Sequence, residues 1–226
     1  MVQYFPKTAH SILNRLKVID SWFWCRYTLN PYNGCEHACT YCDARSDRYY
    51  LHEDFEERIY YKANAAQLLD QKLTNTRTWL PDVIAMGGTC DAYQPAEATY
   101  EISNALLKVV LKHRYRVILS AKSTLIRRDL LLLEEIGKSS WCTVAFTITT
   151  LDPKVVQFLE PRTASPEESN IIRREPNCDS PSSGERNGNS PNHLYVKALV
   201  RCISGVVGRI GRIREFAEKL QIFILV

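Results

Sequence analysis

The chain reads as an α/β protein built on a parallel sheet. Extended and helical segments alternate strictly from about residue 63 to residue 160, and each extended segment is short and apolar. The composition agrees: 45% hydrophobic and 24% charged over 226 residues is that of a globular chain able to bury a substantial core.

The elements follow in order. SILNRL and SWFWCRYTL, within residues 1–29, are apolar enough to pack against a core, and a first strand is placed at 26–29. ANAAQLLDQKLTNTRTWL (63–80) carries Ala66, Leu69 and Leu73 at helical spacing until Pro81 stops it. DVIAMGG (82–88) is a buried strand ending in glycines. AEATYEISNALLKVVLKH (96–113) reads as one helix with Ile102, Leu106, Val109 and Val110 on one face. RVILSAK (116–122) is a strand, and RRDLLLLEEIG (127–137) a helix with Gly137 as its stop signal. WCTVAFTITT (141–150) is a strand. DPKVVQFLE (152–160) opens a helix with Asp152 as N-cap and Pro153 at its first position.

After Ser169 the character changes. Pro, Ser, Asn and Gly fill much of residues 170–196, a composition expected to form loop and to offer no strand to 143–148. That leaves about four parallel strands, with an uncovered sheet edge beyond the fourth. Residues 1–168 are expected to form the core, and 169–226 a tail ending in an amphipathic stretch.

Several classes are set aside. There is no run of eighteen apolar residues, so no membrane span is expected. MVQYFPKTAH lacks a secretory h-region, which makes a reducing cytoplasm the expected location. The net charge of +4 permits an anionic substrate or a nucleic acid without arguing for either.

The informative stretch is NPYNGCEHACTYCDAR (30–45), with Cys35, Cys39 and Cys42 inside eight positions. A disulfide framework wants an even set of cysteines, and a structural zinc site wants four ligands. Three thiolates in a loop of small and polar residues (Asn33, Gly34, Ala38, Thr40) point to a metal centre left one ligand short. A Cys3His zinc site using His37 or His52 is the alternative, although no paired Cys or His element completes it. His37 is read as a hydrogen-bonding framework residue.

The C-x3-C-x2-C spacing resembles the signature of the radical S-adenosylmethionine (SAM) superfamily, and the longer string resembles its spore photoproduct lyase-like subgroup. Asp43 stands where that subgroup usually has an aromatic residue. The resemblance continues through MGGTCDAYQPAE (86–97), ILSAKSTLIRRDLLLLEEI (118–136) and ITTLDPKVVQFLEPRTASPEE (148–168), with Ala121 in place of a more usual threonine. It implies a partial (βα) barrel, here incomplete at the C-terminus, and a [4Fe-4S] cluster on Cys35, Cys39 and Cys42. SAM would ligate the open iron. Tyr41, Gly87, Gly88 and Lys122 are the implied SAM-binding residues, with Lys122 facing the SAM carboxylate. Glu160 and Arg162 are expected to brace the site, an exposed ion pair being the plainer alternative. Cys90 is the implied hydrogen-atom donor, and a reductant such as ferredoxin or flavodoxin the implied partner. A nucleic-acid substrate follows from family analogy only. Cys25, Cys142, Cys178 and Cys202 carry no assigned role.

The family would continue with further apolar strands where residues 178–193 have none. Codons can be chosen that, one base out of frame, turn CDSPSSGERNGNSPNH into AIPPRRVSVMVIPPII. A changed reading frame near Ser169 is therefore the first account of the tail, and a divergent C-terminus the second. The competing functions are a SAM-cleaving enzyme, a non-catalytic zinc or iron–sulfur module, and a truncated inactive relative.

Overall fold

The computed structural model describes residues 1–19, 25–46, 52–75, 82–150, 152–165 and 168, together with the backbone of 194–200. In chain order these form β1 (Gln3–Lys7), β2 (Leu13–Arg15), β3 (Tyr27–Leu29), β4 (Tyr32–Asn33), β5 (Arg58–Lys62), α1 (Ala65–Thr74), β6 (Val83–Met86), α2 (Glu97–Tyr100), α3 (Ile102–Lys112), β7 (Arg116–Ala121), α4 (Leu130–Ser139), β8 (Cys142–Ile148), α5 (Pro153–Leu159) and β9 (Leu194–Val200).

The larger sheet has the order β2-β3-β6-β7-β8-β9, with β2 antiparallel to β3 and every other pair parallel. Its central strands are apolar runs because both faces are covered: Leu29, Ile84, Leu119 and Phe146 are buried. Leu69 of α1, Leu106 and Leu107 of α3, and Leu133 and Ile136 of α4 join the same core. Each such side chain contributes about 1.5–3 kcal/mol through burial. A smaller sheet, β1-β5-β4, pairs β1 parallel and β4 antiparallel with β5. Among the described residues no helix is long and apolar enough to cross a membrane.

Most of the expected elements are present, and three expectations are corrected. Residues 96–113 form two helices, because Glu101 takes a left-handed φ of 49°. The Glu97 carboxylate accepts from Ser103 N (2.8 Å) and Asn104 N (3.0 Å), so it caps α3 where a continuous helix would use backbone carbonyls. Gly137 lies inside α4 and is buried; the helix starts later, after a 3-10 turn at Thr124–Asp129, and runs on to Ser139.

The third correction concerns the sheet edge. β9 pairs with the whole of β8, from Cys142↔Leu194 to Ile148↔Val200. Among the described residues the sheet has five parallel strands where about four were expected, and β9 covers the edge of β8. LYVKALV is a strand-forming sequence, but reading composition over 170–196 merged its first three residues with the Pro/Ser/Asn/Gly stretch before it. The rest of 169–226, apart from β9, lies outside the described residues.

Candidate functional site

The thiol loop leaves β4 through Gly34, whose φ is +96°. A Cβ there would lie 2.7 Å from Arg58 O and 2.8 Å from Phe55 O, so only glycine lets Cys35 N donate to Phe55 O at 2.9 Å. The loop turns again at Ala38 (φ 53°) and is tied to the end of α5 by Thr40 N donating to Leu159 O. Buried Gln94 clamps the loop from the other side: its Oε1 accepts from Glu36 N (3.0 Å) and its Nε2 donates to Gly34 O (3.1 Å). Glu36 in turn accepts from Ala96 N (2.7 Å) and Tyr4 OH (2.8 Å).

His37 is buried inside the loop. Its Nδ1 is 3.1 Å from Arg162 O, and its Nε2 is 3.3 Å from Asp91 Oδ2, too poorly aligned for a hydrogen bond. Burial would push the imidazole pKa down, but the Asp91 carboxylate and the Arg162 carbonyl hold it above its ordinary value.

The two glycines after β6 differ. Gly87 has φ +89°, and a Cβ there would lie 2.8 Å from Ser120 O, so the backbone itself demands glycine. Gly88 has no such constraint; a Cβ would meet nothing nearer than Asn30 Oδ1 at 4.0 Å. Its missing side chain leaves a cradle at the cavity wall.

At the end of β7, Lys122 Nζ donates to Glu160 Oε1 and to Tyr41 OH, both at 2.7 Å. Thr149 Oγ1 donates to the same carboxylate at 2.5 Å, and Tyr41 OH donates to it as well. Burial alone would favour the neutral forms of Lys122 and Glu160, but each charge outweighs this for the other: the lysine is raised and the glutamate lowered. Burial pushes the Tyr41 hydroxyl up to about 12. Glu160 thus faces inward, while Arg162 pairs on the surface with Glu57 (2.5 Å) and lends its carbonyl to His37. The two act on different sides and do not pair with one another.

These segments enclose a cavity of about 200 Å³. Cys35, Cys39, Cys42, Tyr41, Gly87, Gly88, Cys90 and Lys122, the residues singled out in the sequence, all line it. Burial raises the Cys35 thiol well above its ordinary value, Cys39 to about 11 and Cys90 to about 12. Cys142 lies in β8 within the core and does not line the cavity. Cys178 and Cys202 are outside the described residues. Asp91, Gln94 and Thr149 lie in the resembling stretches 86–97 and 148–168 but carried no individual role in the sequence reading. The signal for Asp91 was a carboxylate placed between a glycine turn and the apolar start of AYQPAE.

Residues 29–175 match the Radical SAM superfamily, and the chain belongs to that family. An uncharacterized protein of Methanocaldococcus jannaschii is 30% identical over 194 residues, which is 85% of this chain and 68% of that one. Uncharacterized proteins of Mycobacterium tuberculosis and Mycobacterium bovis are 33% identical over 146 residues, 63% of this chain. The alignment spans 43% of those mycobacterial proteins.

Among solved structures, a doubly substituted spore photoproduct lyase with bound AdoMet and dinucleoside spore photoproduct superposes with a TM-score of 0.57. It is 16% identical, and the match covers 96% of this chain and 56% of that one. A singly substituted form of the same lyase gives 0.56. The fold is thus the α/β barrel-like one these proteins share.

The residues present fit the family's cofactors. Three soft thiol donors share one cavity with the Gly88 cradle and a buried cation. Among the described residues no three His, Cys, Asp or Glu side chains are gathered tightly enough for a single ion.

Proposed function

We propose that Cys35, Cys39 and Cys42 hold a [4Fe-4S] cluster beside a SAM site formed by Tyr41, Gly87, Gly88 and Lys122. When bound, the cluster supplies the electron that splits SAM to methionine and a deoxyadenosyl radical. The observation that carries this reading is the convergence of all those residues on one cavity.

The chain's own residues bind, orient and exclude water. Binding the cluster requires three thiols to lose their protons, and burial makes at least two of them reluctant. Asp91 N points at Cys35 Sγ from 3.5 Å, a donor that favours the thiolate. Lys122 has three N–H groups; Glu160 and Tyr41 take two, which leaves one for a SAM carboxylate. Gly88 provides room for a ligand to meet the backbone. Cys90, kept protonated by burial, retains the hydrogen atom a donor would give.

The electron would come from a reductant such as ferredoxin or flavodoxin, and a reducing cytoplasm suits the thiols of Cys35, Cys39 and Cys42. A nucleic-acid substrate is supported only by the likeness to a lyase solved with a dinucleoside lesion.

Anaerobic reconstitution tests the reading. The full chain should take up about four iron and four sulfide and gain charge-transfer absorption. Cys35→Ala, Cys39→Ala and Cys42→Ala should each lose the cluster, whereas Cys142→Ala should keep it. Stoichiometric zinc without that absorption would show a zinc module instead. A loaded cluster with no SAM cleavage would show an inactive relative.

A further inference from the structure

Asp91 follows Cys90 in the turn after β6 and lies buried in the cavity wall. Its carboxylate reaches two other segments of the site as well as its own turn. Oδ2 accepts from Lys122 N at 2.6 Å, at the end of β7. Oδ1 accepts from Tyr93 N at 2.7 Å, which fixes the turn itself. Oδ2 also stands 3.3 Å from His37 Nε2 in the thiol loop, and His37 passes the link to Arg162 O beyond α5. On the backbone side, Asp91 N points at Cys35 Sγ.

One residue therefore touches the first thiol of the loop, the histidine between the first two thiols, and the main chain of the lysine across the cavity. Without its carboxylate, the N–H groups of Lys122 and Tyr93 would lose their acceptor and be left unpaired. The helical turns and ladders nearby do not need it: α3 is capped by Glu97, and β6 and β7 pair without it.

We infer that Asp91 is a positioning residue that sets the thiol end of the cavity against the Lys122 end, and so fixes where SAM sits relative to the cluster. This rests on the function proposed above. The side chain acts through Lys122 and His37, and the Asp91 N–H acts on Cys35.

Asp91→Asn separates this role from a purely structural one. Asparagine keeps one oxygen and can still cap Tyr93 N–H, but its amide nitrogen cannot accept from Lys122 N–H. The cysteines are untouched. In the reconstituted full chain, iron and sulfide content should match the wild type. The SAM concentration needed to change the electron paramagnetic resonance spectrum of the reduced cluster should rise about 10- to 100-fold, the usual scale for residues that orient a metal site's ligands.

An unchanged SAM requirement would overturn the inference. So would joint loss of iron and SAM response, which is what a residue needed only for folding would give. If Asp91→Asn does not fold by circular dichroism, Asp91→Glu, which keeps the charge but displaces it by one methylene, is read in the same way. A wild-type chain that takes up iron but never responds to SAM overturns the proposed function, and this inference with it. A normal wild-type response with an unaltered variant overturns the inference alone.

Discussion

Beneath α2 and α3, Glu97, Arg128 and Asp129 form an ionic cluster whose carboxylate oxygens are all engaged, whereas the groups around the cavity keep bonding capacity in reserve. Glu97 accepts from Tyr32 OH, Ser103 N, Asn104 N and Arg128. Asp129 accepts from Asn104, Tyr93 OH and Arg128. At the cavity, by contrast, His37 Nε2 has no aligned partner, Lys122 has a donor left, and the thiols of Cys35, Cys39 and Cys90 keep their protons. Both regions are buried and charged, so burial alone does not mark function. Bonding capacity held in reserve is what separates the cavity from the ionic cluster. Tyr93 joins the two, with its hydroxyl on Asp129 and its amide on Asp91.

The largest test of this contrast is Arg128→Met. It would strand two buried carboxylates and should cost about 3–5 kcal/mol in chemical denaturation. Iron content per folded molecule should stay at the wild-type level. A variant that keeps full stability would show that the lower cluster is not a lock.

The glycine pair gives a finer test within the site. Gly87→Ala forces an L side chain into a left-handed backbone against Ser120 O and should lose about 1–3 kcal/mol. Gly88→Ala should stay within about 0.5 kcal/mol of wild type in stability. Its effect should fall on SAM affinity, measured by equilibrium binding to the reconstituted protein. Equal effects of the two substitutions on both quantities would erase the distinction between a glycine the fold needs and one a ligand needs.

The smallest effect is expected in the pH dependence. Asp129 and Glu160 have folded pKa values below their ordinary 3.8 and 4.5, because Arg128 and Lys122 outweigh the burial that would raise them. Their stabilisation is complete above the ordinary values and is lost as pH falls through the folded ones. Melting temperature should therefore drop as the pH falls below the ordinary 4.5 and 3.8 toward the lower folded values. In Glu160→Gln the Glu160 part of that acid limb should vanish, leaving a shallower slope. An unchanged slope would mean that the Lys122 pair adds nothing to folding.

Much of this was legible in the sequence because it depends on local pattern. VIAM, RVILSA and CTVAFTI announce buried strands, and Asp152 followed by Pro153 announces α5, whose cap is the Asp152 carboxylate accepting from Lys154 N. The thiol spacing and the glycine turn were read as one site, and they line one cavity. What escaped depends on distant partners. β1 and β5 look ordinary until they pair across the chain. The break at Glu101 follows from where Glu97 aims its carboxylate, and Asp91 acquires its place only when Lys122 and His37 fold against it. β9 escaped for a different reason: a compositional window hid a strand at its own edge.

The β1–β5 ladder carries a consequence for how the site is filled. Gln3 to Lys7 align with Arg58 to Lys62, so the ladder closes a ring of chain of about fifty residues, with the thiol loop among them. Tyr4 then fastens that ring to Glu36, next to Cys35. Closing so long a ring costs more chain entropy than forming local turns and helices, so it is expected late in folding. Iron supplied while the chain is still folding meets the cysteines from an open side. Iron supplied afterwards must enter through the mouth of the cavity. For the cluster proposed above, assembly during synthesis and loading of the finished chain would therefore be kinetically separate routes.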